Sequence, residues 1–213
     1  MSGAPELQAE IAVPWAMKTP ASAEIQEEQL PDGRLRFSIR HDLIAGVTPA
    51  MLVWWFNNMD GDIVIAGRPW PRYRIWHPRD HIALFYLRPA DDGRTAGPGA
   101  VFRIVEHFDR RSDYRIDIKA HVKRLDEGGF MHIDTISGLE VSRMEYKFTA
   151  TPQGTLYENS LTVGTTLPLI GKTINRHILP SRFPVEQGRA WIKHNVEEVG
   201  NFQFFLPDLY AHR

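Results

Sequence analysis

The sequence predicts an α+β fold in which a curved antiparallel sheet wraps one long C-terminal helix. Two observations predict it. From residue 73 to 165 the chain runs through successive segments of alternating apolar and polar residues, parted by Gly, Asp and Pro turns. Residues 185–206 then read as one long helix. Strands in series followed by a helix argue that the helix packs on one face of the sheet. A sheet gripping a helix leaves a cavity between them, and a ligand site is expected there.

The elements follow in order. Residues 1–33, with Pro5, Pro14, Pro20 and Pro31, read as an extended N-terminal arm with little regular structure, and residues 34–213 as a single domain. Residues 34–40 (Arg-Leu-Arg-Phe-Ser-Ile-Arg) alternate as a half-buried strand does. Thr48-Pro49 starts a helix, with Thr as cap and Pro in the first turn, and it runs to about Asn58. Pro78 interrupts the stretch from Tyr73 to His81, so a turn is expected to lead into a strand over 81–88. Further strands are expected over 100–108, 113–125, 130–136, 139–149 and 155–165, with a hairpin turn at Asp126-Glu-Gly-Gly129. Pro207 is expected to end the last helix.

Composition narrows the function. The 213 residues are 43% apolar, enough for one sizeable core. Lys plus Arg is 25 and Asp plus Glu is 26, so the net charge is −1. That gives no reason to expect nucleic acid or a membrane surface as partner. The start Met-Ser-Gly-Ala-Pro-Glu-Leu lacks the pattern of a secretory signal. Cysteine is absent, so a metal site must use His, Asp or Glu, which suits catalytic zinc better than structural zinc. A cytoplasmic location is the default expectation.

His194 and Glu198 stand four apart in the last helix and leave it on one face. Imidazole plus carboxylate so placed can ligate zinc or a similar divalent ion; on a solvated face the same pair would be a modest surface interaction. Two further segments could complete a site. Tyr73-Arg-Ile-Trp-His-Pro-Arg-Asp-His81 offers His77 or His81 as a ligand, with Asp80 or Tyr73 to orient a ligand or touch substrate. In residues 101–108, alternation puts Glu106 on one face with Phe102 and Ile104, and a carboxylate pointing inward needs a partner. His121, His132, His177, Tyr146 and Tyr157 are weaker cavity candidates. Gly171-Lys-Thr173 lacks the upstream Gly of a phosphate-binding loop, and no Gly-Xaa-Ser-Xaa-Gly elbow occurs.

Met51-Leu-Val-Trp-Trp-Phe56, the Tyr73–His81 string, Glu106, and His194-Asn-Val-Glu-Glu198 running to Phe205-Leu-Pro-Asp-Leu-Tyr210 together resemble the 2,4-diacetylphloroglucinol hydrolase family, which also contains phloretin hydrolases. The resemblance implies a Bet v 1/START-like helix-grip fold and hydrolysis of the bond between an acyl group and a phenolic ring. It implies Zn2+ on His81, Glu106, His194 and Glu198. His81 is preferred to His77 because the family places a substrate-contacting Tyr eight residues before the ligand His, and Tyr73 fits His81. Tyr73, His132 as an acid, and Glu198 are the expected catalytic residues. The expected partner is a small phenolic acyl ketone, with a homodimer as a possible assembly. The alternative is a carrier or metal-free cyclase for aromatic ligands on the same fold. Better-known family members are longer, which leaves the substrate and the proton donor open.

Overall fold

A computed structural model describes residues 5–213. The first four residues of the expected arm lie outside the described residues. The elements run β1 (Ala23–Gln29), β2 (Leu35–His41), β3 (Ile44–Ala45), α1 (Pro49–Asn57), β4 (Asp62–Ile65), β5 (Arg68–Pro71), α2 (Arg72–Trp76), β6 (His81–Arg88), β7 (Val101–His107), β8 (Arg115–Asp126), β9 (Gly129–Ile136), β10 (Leu139–Thr151), β11 (Gly154–Val163), α3 (Gly171–His177), α4 (Leu179–Arg182) and α5 (Val185–Ala211).

Among the described residues one antiparallel sheet has the order β1-β2-β11-β10-β9-β8-β7-β6, with β3 also paired to β11. Consecutive strands from β6 to β11 are neighbours, as hairpin connections dictate. Register shifts at His81/Ala83, Tyr86/Arg88, Val122/Arg124 and Glu140/Ser142 mark bulges. Each bulge bends its strand and adds twist, which lets the sheet curve around α5. The helix lays Trp191, Val196, Val199, Phe202 and Leu206 into the core. Trp55 of α1 is fully buried among the rings of Trp76, Phe202 and Phe205. The Thr48 hydroxyl caps α1 by accepting from the Met51 N–H (3.3 Å).

Three sequence expectations need correction. The arm is not all irregular: β1 pairs with β2 through seven residues at the sheet edge. Its sequence Ala-Glu-Ile-Gln-Glu-Glu-Gln carries no apolar alternation, because an edge strand is held by backbone pairing and its charges guard the edge. The last helix does not stop at Pro207 but continues to Ala211. Proline removes one backbone donor there, while contacts beyond it hold the final turn: Tyr210 meets the Trp54 ring edge-on at 5.6 Å. Short elements were also invisible in the pattern: the β4–β5 hairpin, the one-turn helix α2, and α3 with α4.

The helix lies close against the sheet at Gly188. A Cβ there would overlap the ring of Phe37, itself 2% exposed. Gly188→Ala is expected to lower stability by about 1–3 kcal/mol, read from urea denaturation. An unchanged midpoint would show that α5 does not seat this tightly on β2.

Candidate metal centre

The site forms where three distant parts of the chain meet: the start of β6, the end of β7 and the middle of α5. His81 and Glu106 are register partners across β6 and β7. His194 and Glu198 rise from one face of α5, one turn apart. His81 Nε2 lies 3.3 Å from Glu106 Oε1 and 3.3 Å from Glu198 Oε2. His194 Nε2 lies 3.7 Å from Glu106 Oε2 and 3.7 Å from Glu198 Oε2. All four residues are buried.

These spacings suit a shared cation. Bonds of roughly 2.0–2.1 Å in a tetrahedral zinc site place neighbouring donors about 3.3–3.4 Å apart. The donor set, two imidazoles and two carboxylates, balances the charge of one divalent ion. His81 Nε2 is buried with no hydrogen-bond partner, and its Nδ1 bonds the Tyr73 carbonyl (2.7 Å). With the proton on Nδ1, the Nε2 lone pair faces the two carboxylates. His81, Glu106 and His194 form a group whose donor atoms could hold a metal ion.

His77 is placed differently. Its Nδ1 accepts from the Asp80 N–H (3.1 Å) and its Nε2 meets Glu197 Oε2 (3.0 Å), so both ring nitrogens are engaged. The His77 ring stacks on His194 at 4.3 Å and props it. Although His77, Asp80 and His194 also cluster, their direct hydrogen bonds make them a supporting layer. Asp80 takes the orienting part: its Oδ2 bonds His194 Nδ1 (3.1 Å), which turns Nε2 toward the glutamates. Asp80 also accepts the N–H groups of Asp109 (2.9 Å) and Arg110 (3.1 Å). Those two residues sit in the left-handed region (φ 54° and 58°), a strained turn that aims both donors at one carboxylate.

Sequence reasoning missed a second support. With the Asn195 amide turned so that its oxygen accepts from Trp191 Nε1 (2.8 Å), its nitrogen donates to Glu198 Oε1 (3.1 Å). Asn195 meets Asn159, and Asn159 meets His41 Nε2 (3.1 Å), all buried. The Trp191, Asn195 and Glu198 spacing on one helix was the available signal, but Asn159 and His41 come from other strands.

The centre lies on the wall of a cavity of about 690 Å³ between sheet and helix. The walls are mostly apolar, with Phe102, Ile104, Met144 and Leu161 among them, and Tyr73, His132 and Tyr146 supply polar groups. The Tyr73 hydroxyl donates to Glu106 Oε1. His132 Nδ1 is buried without a partner. The other sequence candidates fall outside: Tyr157 is buried away from the lining, His121 neighbours Thr135, and His177 is exposed on α3.

Burial sets the charges. It pushes Glu106 up, and it pushes Glu198 well above the usual range together with the Glu106 charge. Burial lowers His132 to about 4 and drives His81 down, so both are neutral at pH 7. It raises Tyr73, helped by Glu106, so the phenol keeps its proton. Burial alone would lower His194, but the carboxylates of Glu106, Asp80 and Glu198 outweigh it and raise the ring to about 9. Burial would raise Asp80, and the hydrogen bond and charge of His194 hold it low instead.

The metal-free protein therefore stores stability in a protonated His194. A folded value near 9 against an unfolded value of about 6.5 means this contribution is full below pH 6.5 and lost as pH rises through 9. Raised Glu106 and Glu198 act in the same direction. The melting temperature of chelator-treated protein is expected to fall between those limits, and less steeply in Asp80→Asn. A flat profile would refute the arrangement.

The DAPG hydrolase PhiG domain model matches residues 16–211. No match was found among curated proteins. The chain is similar to a START superfamily protein from Mycobacterium smegmatis at 12% identity and TM-score 0.50, covering 81% of this chain and 98% of that one. It is similar to the di-domain ARO/CYC BexL from the BE-7585A biosynthetic pathway at 13% identity and TM-score 0.52, covering 84% of this chain and 50% of that one. Protein NE0264 from Nitrosomonas europaea matches at 10% identity and TM-score 0.50, over 85% of this chain and 99% of that one. At such identities these likenesses show the fold alone, which is the START/Bet v 1-like helix grip.

Proposed function

The chain belongs to the DAPG hydrolase PhiG domain family, and from that premise we propose that it is a zinc-dependent hydrolase that cleaves the carbon–carbon bond between an acyl group and a phloroglucinol-type ring. Membership makes it a hydrolase of phloroglucinol-type substrates. The metal, the bond and the residue roles are our assignment. The observation that carries it is the approach of His81 Nε2 and His194 Nε2 to the two carboxylate oxygens of Glu106 and to Oε2 of Glu198 on the wall of an apolar cavity.

In this reading His81, Glu106, His194 and Glu198 hold the zinc. When bound, zinc supplies Lewis acidity toward the acyl oxygen and lowers the pKa of water. Asp80 and Asn195 fix the orientation of His194 and Glu198. The Tyr73 hydroxyl, protonated at neutral pH, donates to a ring hydroxyl or to the acyl oxygen in place of Glu106. The apolar walls exclude bulk water from the ring.

The overall reaction adds hydroxide to the acyl carbon and a proton to the ring carbon as the bond between them breaks. His132 suits the proton transfer. The neutral ring has a lone pair free for a proton from a ring hydroxyl, and it returns that proton to the ring carbon as the acyl group leaves. This differs from an acid that starts protonated, because burial keeps His132 neutral.

Tag-free protein is expected to hold about one zinc per chain, measured by elemental mass spectrometry, and His194→Ala to hold none. Absence of metal after zinc reconstitution, with acylphloroglucinols bound and returned unchanged, would favour a carrier or a metal-free cyclase. Asn195→Ala is expected to weaken zinc binding about 10–100-fold in a chelator competition. His132→Gln should keep its zinc yet lose about 100-fold or more in kcat. Full turnover in that variant would remove His132 from the mechanism.

A further inference from the structure

Nine large apolar side chains are exposed among the described residues, and five of them belong to two segments that border the cavity. Ile136 and Ile178 line the cavity and are themselves 64% and 50% exposed, so the cavity opens between the β9–β10 hairpin tip and the α3–α4 segment. Leu139 pairs with Ile136 at that tip. Leu169 and Ile170 lead into α3 and are 101% and 56% exposed. The Gly164 N–H donates to the Val141 carbonyl (2.8 Å), which ties the approach to α3 to the hairpin.

Leu169 adds a second observation. It holds φ 67°, a left-handed conformation costly for a branched apolar residue, while fully exposed. No packing within the chain offsets either cost. The charge of the segment is a third. Residues 159–185 contain no Asp or Glu but carry Lys172, Arg176 and Arg182, in a chain of net charge −1. All three are exposed, and none forms an ion pair among the described residues. Averaged over the whole chain this cationic excess disappears, which is why composition gave no reason to expect a membrane partner.

We propose that this rim docks the cavity mouth on an anionic lipid bilayer, from which a lipophilic acylphenol passes directly into the cavity. Exposed aliphatic side chains interleaved with cations are the chemistry that binds the interface of such a membrane. A second copy of the chain fits less well. Two-fold pairing through the α3–α4 side of the rim would set Lys172, Arg176 and Arg182 against their own copies, and residues 159–185 hold no acid to separate them. The acylphenol as cargo rests on the proposed function, whereas docking uses the rim alone and does not depend on the zinc assignment.

The test is co-sedimentation of the full chain with phosphatidylcholine vesicles, with and without phosphatidylglycerol. Binding is expected only with the anionic lipid, and it should weaken as salt rises. Lys172→Glu should weaken it by at least roughly fivefold. The pair Leu169→Asp and Ile170→Asp should abolish it at unchanged melting temperature, since Asp tolerates the left-handed backbone at 169. Absence of binding to anionic vesicles, or binding indifferent to these variants, would overturn the proposal. So would a dimer in sedimentation velocity that Leu169→Asp dissociates, which would assign the rim to a second copy.

Discussion

Glu106 and Glu198 are buried side by side against His81 and His194, and much of the surrounding architecture serves that one electrostatic constraint. Removing two carboxylates from water is costly unless positive charge or strong hydrogen bonds compensate. The ion pairs they make are to histidines, with no Lys or Arg among them. In the bare protein a proton on His194 supplies the compensation. A divalent cation would supply it more completely, because His81, Glu106 and His194 bring donor atoms close enough to share one and Glu198 Oε2 adjoins both histidines.

Such a cluster holds its geometry only if each member is fixed from behind. His81 is fixed by a backbone carbonyl one short helix away, and its ring stacks on Tyr73 at 4.0 Å. His194 is fixed by Asp80, whose own position depends on two strained backbone donors. Glu198 is fixed by Asn195 within the same helix. Tyr73 serves twice, since its carbonyl holds His81 and its hydroxyl donates to Glu106. A site built on strands and a helix, with satisfied second partners, is rigid enough for directed chemistry.

The cavity joins this centre to the surface. Its polar groups near the His–Glu cluster, Tyr73, His132 and Tyr146, are few, and the remaining wall is largely apolar. That division suits a ligand with a hydroxylated ring and an apolar acyl portion, and the exposed aliphatic rim continues the same character outward. No helix among the described residues is long and apolar enough to cross a membrane. The sheet bulges that curve the wall and the close seat of Gly188 on Phe37 are the structural means by which this volume is enclosed.

Much of this was legible in the chain itself. Alternation over 73–165 marked the meander, the Thr48-Pro49 pair marked α1, and the i,i+4 spacing of His194 and Glu198 put two donors on one face, because period and capping are local properties. The edge strand β1 and the helix beyond Pro207 escaped notice, because partners remote in sequence hold them. Only the tertiary structure decided how His77 and His81 differ. Both are histidines in one turn, and their roles part when Glu197 and the Asp80 N–H occupy one ring while Tyr73 leaves the other's Nε2 free. The direction in which a ring nitrogen points depends on hydrogen bonds from elements far away in the chain, and no local pattern encodes it.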